Sequence, residues 1–140
     1  MRILGLDLGT RTLGLSLSDE TKTIATPLYT IRYEEENYQQ LLDQLKDVLN
    51  EFSIESFVLG LPKNMDNSIG EHATMSIEFK ELLEKTFHLP VYLQDERLTT
   101  KEATNYMLEF DISRKKRKKK IDSLAANIIL QTYLDKRRNQ

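Results

Sequence analysis

Hydrophobic residues along the chain follow two spacings, one typical of strands and one typical of helices. Residues 3–8 form a short apolar strand, and residues 13–18 alternate apolar and polar side chains. A third strand is predicted near residues 27–31, which completes an antiparallel meander with the first two. The compact apolar run at residues 56–60 predicts a buried parallel strand, and residues 91–94 predict a further short strand.

Four segments carry apolar residues three and four positions apart, the spacing of an amphipathic helix. The first covers residues 38–52 and the second residues 71–87. A third helix is predicted to start at Thr99, because Thr99 and Glu102 fit a capping box. The last helix is predicted over about residues 121–136, with the basic run before it placed outside the helix.

The predicted order β-β-β-α-β-α-β-α-α indicates a single α/β domain over residues 1–140. We expect a five-stranded mixed sheet in which strands 1–3 are an antiparallel meander and strands 1, 4 and 5 are parallel, with helices on both faces. Ligands of such sheets bind outside the carboxyl ends of the parallel strands. Asp7, the loop at residues 62–70 and the Asp95-Glu96-Arg97 cluster would all lie at that edge.

Composition excludes several classes of protein. The chain has no cysteine, so it has neither a disulfide scaffold nor a thiolate metal site, which suits the cytoplasm. No apolar run approaches the length of a membrane span. No signal peptide is expected, because Asp7 interrupts the one apolar stretch near the N-terminus.

Charge is distributed unevenly along the chain. Residues 114–140 contain ten Lys/Arg and two Asp, a balance of +8, while residues 1–113 contain ten Lys/Arg and twenty Asp/Glu, a balance of −10. Seven of the basic residues are consecutive, at residues 114–120. A basic block on an acidic body is typical of phosphate binding. The alternative is a solvated, disordered loop.

Three acidic positions are candidates for a metal site. Asp7 shares one strand face with Gly5 and Gly9, where a buried carboxylate is costly unless a cation meets it. Carboxylates at neighbouring strand ends are suitable ligands for Mg²⁺ or Mn²⁺. Strand alternation leaves open whether Asp95 or Glu96 points inward. Asp122, in the first turn of the predicted last helix, is a third candidate, although the helix dipole alone would also favour an acid there.

Four segments of the chain together resemble a known family. They are residues 5–14 (GLDLGTRTLG), 58–64 (VLGLPKN), 95–100 (DERLTT) and 120–126 (KIDSLAA). In this order they resemble the YqgF family, also called RuvX, whose members are described as Holliday junction resolvases or pre-16S rRNA nucleases. The resemblance covers essentially the whole chain and implies a ribonuclease H-like fold.

The resemblance also implies metal-dependent cleavage of phosphodiester bonds by Asp7, Glu96 and Asp122. These residues would be both the catalytic groups and the ligands of two Mg²⁺ or Mn²⁺ ions, which favours Glu96 over Asp95. We expect nucleic acid to contact the following residues: Thr10, Arg11, Lys63, Asn64, Arg97, Arg114, Lys115, Lys116, Arg117 and Lys118.

The substrate has two interpretations within the family. We expect the protein to process the 5′ end of pre-16S rRNA in the cytoplasm. The alternative is cleavage of four-way DNA junctions, which would need a symmetric homodimer with two active sites.

Two hypotheses from other classes remain. The Asp-Leu-Gly-Thr sequence after the first strand also resembles the phosphate-binding opening of actin-like and Hsp70-like ATP-binding proteins. Those proteins clamp nucleotide between two lobes, and 140 residues supply one. The other hypothesis is a catalytically silent nucleic-acid-binding module, against which the intact set of carboxylates argues.

Overall fold

The computed structural model describes residues 1–61, 71–95 and 114–138, with only the backbone described at residues 71–72 and 114–122. The described part contains five strands and three helices. In chain order they are β1 (Arg2–Leu8), β2 (Thr12–Ser18), β3 (Ala25–Arg32), α1 (Tyr38–Glu51), β4 (Ile54–Leu61), α2 (Glu71–Phe87), β5 (Val91–Asp95) and α3 (Arg114–Arg138).

The five strands form one mixed sheet in the order β3-β2-β1-β4-β5. The β1–β2 and β2–β3 pairs are antiparallel, whereas the β1–β4 and β4–β5 pairs are parallel. This arrangement confirms the predicted meander and the predicted parallel set. It brings the carboxyl ends of β1, β4 and β5 to one edge, called here the carboxyl edge.

One face of the sheet packs against α1 and α2. In β1 this α1–α2 face carries Leu4, Leu6 and Leu8, which are buried in the larger hydrophobic cluster. The same cluster takes in Leu45 of α1 and Phe79 of α2. The helical spacing of their apolar residues therefore has the predicted result, with both helices covering one side of the sheet.

The opposite face packs against α3 and is called here the α3 face. Ile3 and Val58 on the strands form a second buried cluster with Ile129, Leu130 and Leu134 of α3. Since Ile3 alternates with Leu4 along β1, the sequence predicted these two faces correctly.

The helix α3 can lie close to the sheet because β1 has no side chain at Gly5. A Cβ built at Gly5 would lie 2.5 Å from Ser16 Oγ and 2.7 Å from Leu130 Cβ. The Ser16 hydroxyl donates a hydrogen bond of 3.1 Å to the Ala126 carbonyl oxygen. This close approach fixes α3 directly over β1 and β2.

The predicted start of the last helix was wrong. The helix begins at Arg114 rather than near residue 121, so the basic run forms its first two turns and Asp122 lies in its third turn. Lysine and arginine are good helix formers, but a run without apolar residues has no hydrophobic periodicity to reveal the helix. The alternative explanation of Asp122 as a charge at a helix N-terminus is therefore removed.

Other predictions fall outside the described residues. These are the loop at residues 62–70 and the helix predicted to start at Thr99. Within the described ranges, none of the helices is long and apolar enough to span a lipid bilayer.

Candidate active site

Asp7 lies at the carboxyl edge on the α3 face of the sheet. It follows Leu6, which pairs with Leu59 of β4, and it pairs across the meander with Gly14 of β2. Alternation from Gly5 places its side chain on the side covered by α3. The residue is half-buried.

Asp7 is surrounded by glycines. Along its own strand direction the same-face neighbours are Gly5 and Gly9. Gly14 faces it on β2, and on β4 the register that joins Leu6 to Leu59 brings Gly60 level with it. Four of the five glycines in the chain thus border one carboxylate. The space above Gly5 is filled by α3, whereas Gly14 and Gly60 place no side chain beside Asp7 on the two neighbouring strands.

Traced from its C-terminus toward its N-terminus, α3 runs toward the end of β1 that bears Asp7. The Ala25 backbone N–H donates to Gln131 Oε1 at 2.9 Å, so Gln131 is level with the strand ends farthest from Asp7. Ala126 is level with Gly5.

Position 122 precedes Ala126 by one helical turn of about 6 Å, and Asp7 follows Gly5 by two strand residues, a similar rise. The helix α3 therefore carries the backbone of residue 122 beyond Gly5, toward the end of β1 that bears Asp7. The side chain of Asp122 lies outside the described part.

The strand β5 carries two neighbouring polar residues on opposite faces. Gln94 pairs with Gly60, so it belongs to the same row and face as Asp7, and it is buried with 6% of its surface exposed. Asp95 is on the α1–α2 face, because Leu93 beside it in alternation is paired with buried Leu59. Glu96 lies outside the described residues.

The turn after β1 is tied to the end of β3 by one tyrosine. The Gly9 N–H donates to the Thr12 carbonyl at 2.8 Å and closes the turn. The Tyr33 N–H donates to the Arg11 carbonyl at 3.0 Å, and the Tyr33 hydroxyl donates to the Gly9 carbonyl. Burial, foremost, and then the nearby Tyr38 and Glu35 raise the pKa of Tyr33 to about 12, so this hydroxyl remains a donor throughout the neutral range.

The surface on the α1–α2 side of this turn is acidic. Thr10 lines a cleft of about 300 Å³ together with Tyr38 and three glutamates, Glu35, Glu36 and Glu78. These carboxylates disfavour a phosphate on that side. The basic first turns belong to α3, the helix that covers the other face of the sheet.

The predicted nucleic-acid contacts divide into three groups. Thr10 and Arg11 are exposed on the turn next to Asp7. The residues at 114–118 form helical backbone at the start of α3, whereas Lys63, Asn64 and Arg97 lie outside the described residues. Within the described ranges no group of three acidic or histidine side chains is placed to hold a metal, since Asp7 is the one predicted ligand with a described side chain.

Sequence reasoning missed two features of this site. Tyr33 was not singled out, because an aromatic residue after a strand is more often part of the core. The ring of glycines had a signal in the sequence, namely that four of only five glycines fall in or next to three predicted strands. Strand register was needed to show that they border one residue.

Comparison with known proteins gives the chain a family. The family model described as "RuvX: Holliday junction resolvase" matches residues 1–136. A protein of Geobacillus sp. (strain WCH70) named "Putative pre-16S rRNA nuclease" is 47% identical over 135 residues, covering 96% of this chain and 98% of its own. A protein of Leuconostoc mesenteroides with the same name is 51% identical over 136 residues, covering 96% and 95%.

Solved structures agree with the fold. RuvC of T. thermophilus in complex with a Holliday junction substrate has a TM-score of 0.60 at 17% identity, covering 100% of this chain and 97% of that one. The fowlpox virus resolvase, bound to junction DNA, has a TM-score of 0.60 at 12% identity, covering 97% and 98%. These identities support the shared fold alone, while the family match spans nearly the full chain. The chain belongs to the RuvX Holliday junction resolvase family.

Proposed function

We propose that this protein is a metal-dependent nuclease that hydrolyses phosphodiester bonds of structured nucleic acid, with pre-16S rRNA as its substrate. The observation that carries the proposal is the position of Asp7, a carboxylate at the carboxyl edge bordered by four glycines and facing α3. Family membership supports the reaction class. The names of the relatives support the rRNA substrate and, with it, a place of action in the cytoplasm.

Asp7 is proposed as a metal ligand together with Glu96 and Asp122. The alternation of β5 favours Glu96, because Asp95 faces α1 and α2 whereas Gln94, two residues before Glu96, shares the face of Asp7. Helical periodicity favours Asp122, since residues four apart lie on one helix face and Ala126 faces the sheet. Three carboxylates suit Mg²⁺ or Mn²⁺ and balance most of the charge of two ions.

Some residues of the proposed site would hold the metal ions, and others would bind the nucleic acid. The bound ions would activate water for attack on phosphorus and stabilise the leaving oxygen. The exposed turn with Thr10 and Arg11 would hold a phosphate beside Asp7, and residues 114–118, with Lys63, Asn64 and Arg97, would bind the flanking backbone. The glutamates beside Thr10 would exclude the strand from the α1–α2 side.

The first test replaces each proposed ligand by its amide. Asp7→Asn, Glu96→Gln and Asp122→Asn should each lower the cleavage rate by at least roughly 100-fold, because even outer-shell partners of metal ligands contribute 10–100-fold. Asp95→Asn is the matched control, since it removes the neighbouring carboxylate on the opposite face and should leave the rate near that of the wild type. Rates are measured with Mg²⁺ and with Mn²⁺, and circular dichroism checks that each variant folds. Wild-type cleavage by Asp7→Asn would overturn the mechanism.

The second test separates the two substrates. A precursor rRNA fragment and a synthetic four-way DNA junction are offered side by side, and light scattering gives the mass of the protein in each mixture. We expect cleavage of the RNA. The family description supports junction resolution as the second candidate, and cleavage of the junction alone by a symmetric dimer would establish it in place of the rRNA role.

A further inference from the structure

One residue that follows β3 makes two hydrogen bonds to the turn at residues 9–12. Tyr33 follows directly after β3, and only 6% of its surface is exposed. Its backbone N–H binds the carbonyl of Arg11, and its hydroxyl binds the carbonyl of Gly9. The two bonds therefore enclose Thr10 between them.

The ring of Tyr33 is itself fixed by the core under the sheet. It packs on Tyr38 with ring centroids 6.2 Å apart, and Tyr38 packs on Phe79 at 5.7 Å. Tyr38 begins α1 and Phe79 lies in α2. A row of three aromatic rings thus connects the turn beside Asp7 to both helices on the opposite face.

The hydrogen-bonded atoms lie close to the proposed metal ligand along the chain. Gly9 is two residues beyond Asp7, and it borders Asp7 on the α3 face. A shift of the Gly9 carbonyl would move the peptide that joins Gly9 to Thr10 and, with it, the exposed side chains of Thr10 and Arg11.

We infer that Tyr33 is a positioning residue for the nuclease site, acting through the Gly9 carbonyl to set the turn that presents Thr10 and Arg11 beside Asp7. The inference rests on the proposed function. It assigns a role to a residue on the α1–α2 face, which touches neither metal nor substrate.

The test compares Tyr33→Phe with Tyr29→Phe. Phenylalanine retains the packing of the ring and removes the hydroxyl, and Tyr29 is a matched control four positions earlier, in β3, with 44% of its surface exposed. Tyr33→Phe should lower kcat roughly tenfold and raise the Mg²⁺ concentration for half-maximal activity, as outer-shell partners of metal sites do. Tyr29→Phe should change neither. Assays run well below the Tm of each variant, so a loss of stability alone does not lower the rate.

A double-mutant cycle with Arg11→Ala shows whether Tyr33 acts through the turn. If it does, Tyr33→Phe should lower kcat much less in the Arg11→Ala background than in the wild type, because the effects of mutations at coupled residues are not additive. Amide hydrogen exchange at residues 9–12 should also become faster in Tyr33→Phe. Unchanged exchange and additive effects on kcat would overturn the inference.

Wild type and Asp7→Asn are assayed in parallel to separate two kinds of failure. An inactive wild type, or an active Asp7→Asn, would overturn the proposed function and this inference with it. If wild type is active and Asp7→Asn is not, equal kcat values for Tyr33→Phe and Tyr29→Phe would overturn the inference alone.

Discussion

At the scale of single residues, Gly5 determines how closely the sheet and α3 approach each other. A methyl group there would lie 2.5 Å from Ser16 Oγ, 2.7 Å from Leu130 Cβ and 3.1 Å from the Ala126 carbonyl oxygen. All three contacts are shorter than van der Waals distance, and two involve atoms held by buried packing. Either α3 or β1 must move to admit a side chain.

Gly5→Ala should therefore lower the free energy of unfolding by about 3 kcal/mol, the upper range for overpacking a core. For a chain of this length the Tm would fall by about 10 °C, as measured by thermal unfolding. Gly9→Ala is the control, because its shortest contact would be 3.1 Å, to the Thr12 hydroxyl, a milder overlap than the 2.5 and 2.7 Å contacts at Gly5. Equal losses of Tm in the two variants would contradict this account of the packing.

Asp19 stabilises the turn between β2 and β3 only in its ionised form. Its carboxylate accepts hydrogen bonds from the Thr21 hydroxyl at 2.7 Å and from the N–H groups of Thr23 and Ile24 at 2.8 and 3.1 Å. The Thr21 bond, followed by the two backbone bonds, lowers the pKa of Asp19 from 3.8 to about 2.

A lowered pKa in the folded state has a defined effect on stability. The contribution of Asp19 is fully present above pH 3.8 and is lost as the pH falls through 2. Asp19→Asn should be less stable than wild type at pH 7, and the difference should narrow between pH 4 and pH 2. Urea unfolding at several pH values measures this, and a difference that stays constant with pH would exclude the proposed charge effect.

At the scale of elements, α3 combines a packed half with a basic half. Its 25 residues span about 37 Å, and the part from residue 123 onward supplies the buried contacts with the sheet. The turns at residues 114–120 form the N-terminal end of the helix and carry seven positive charges. The same helix has a second basic group at its other end, Lys136–Arg138.

The two ends of α3 allow a charge-matched test of nucleic-acid binding. Neutralising Arg114, Lys115 and Lys116 with glutamine should weaken binding and reduce the slope of log K against log salt by about 2–3, since each phosphate contact contributes roughly 0.7–0.9. Neutralising the three residues at 136–138 removes the same charge far from Asp7 and should change the slope much less. Fluorescence anisotropy with a labelled RNA measures both. Equal slopes for the two variants would show that binding depends on the net charge of the protein and not on the position of the basic residues.

At the scale of the whole molecule, the sequence predicted most of the architecture. Alternation in β1 and the spacing of apolar residues in α1 and α2 were sufficient, because each pattern reports which face of its own element is buried. The extension of α3 to Arg114 was missed, since a run of charged residues has no hydrophobic periodicity that would reveal a helix. The contact of Tyr33 with Gly9 was missed too, because it depends on where β3 ends relative to the turn after β1.

The candidate site was predictable only in part. Residue patterns drew attention to Asp7, to the Asp95-Glu96 pair and to Asp122, and the family resemblance favoured Glu96 over Asp95. Local patterns could not predict that Gly60 lies beside Asp7, because the two are 53 positions apart and only the register of β1 and β4 brings them together. Family membership also leaves the ATP-binding hypothesis without support.

The bond from Ser16 to Ala126 joins residues 110 positions apart and has a consequence for protein synthesis. Chains emerge from the ribosome N-terminus first, so β1 with Asp7 is made long before α3 exists. Contacts between such distant segments form late and slowly in folding. If Asp122 is a metal ligand as proposed, a nascent chain would have no complete site until α3 has been made. Cleavage would then begin only after α3 has packed on the sheet, so the order of synthesis would delay the activity.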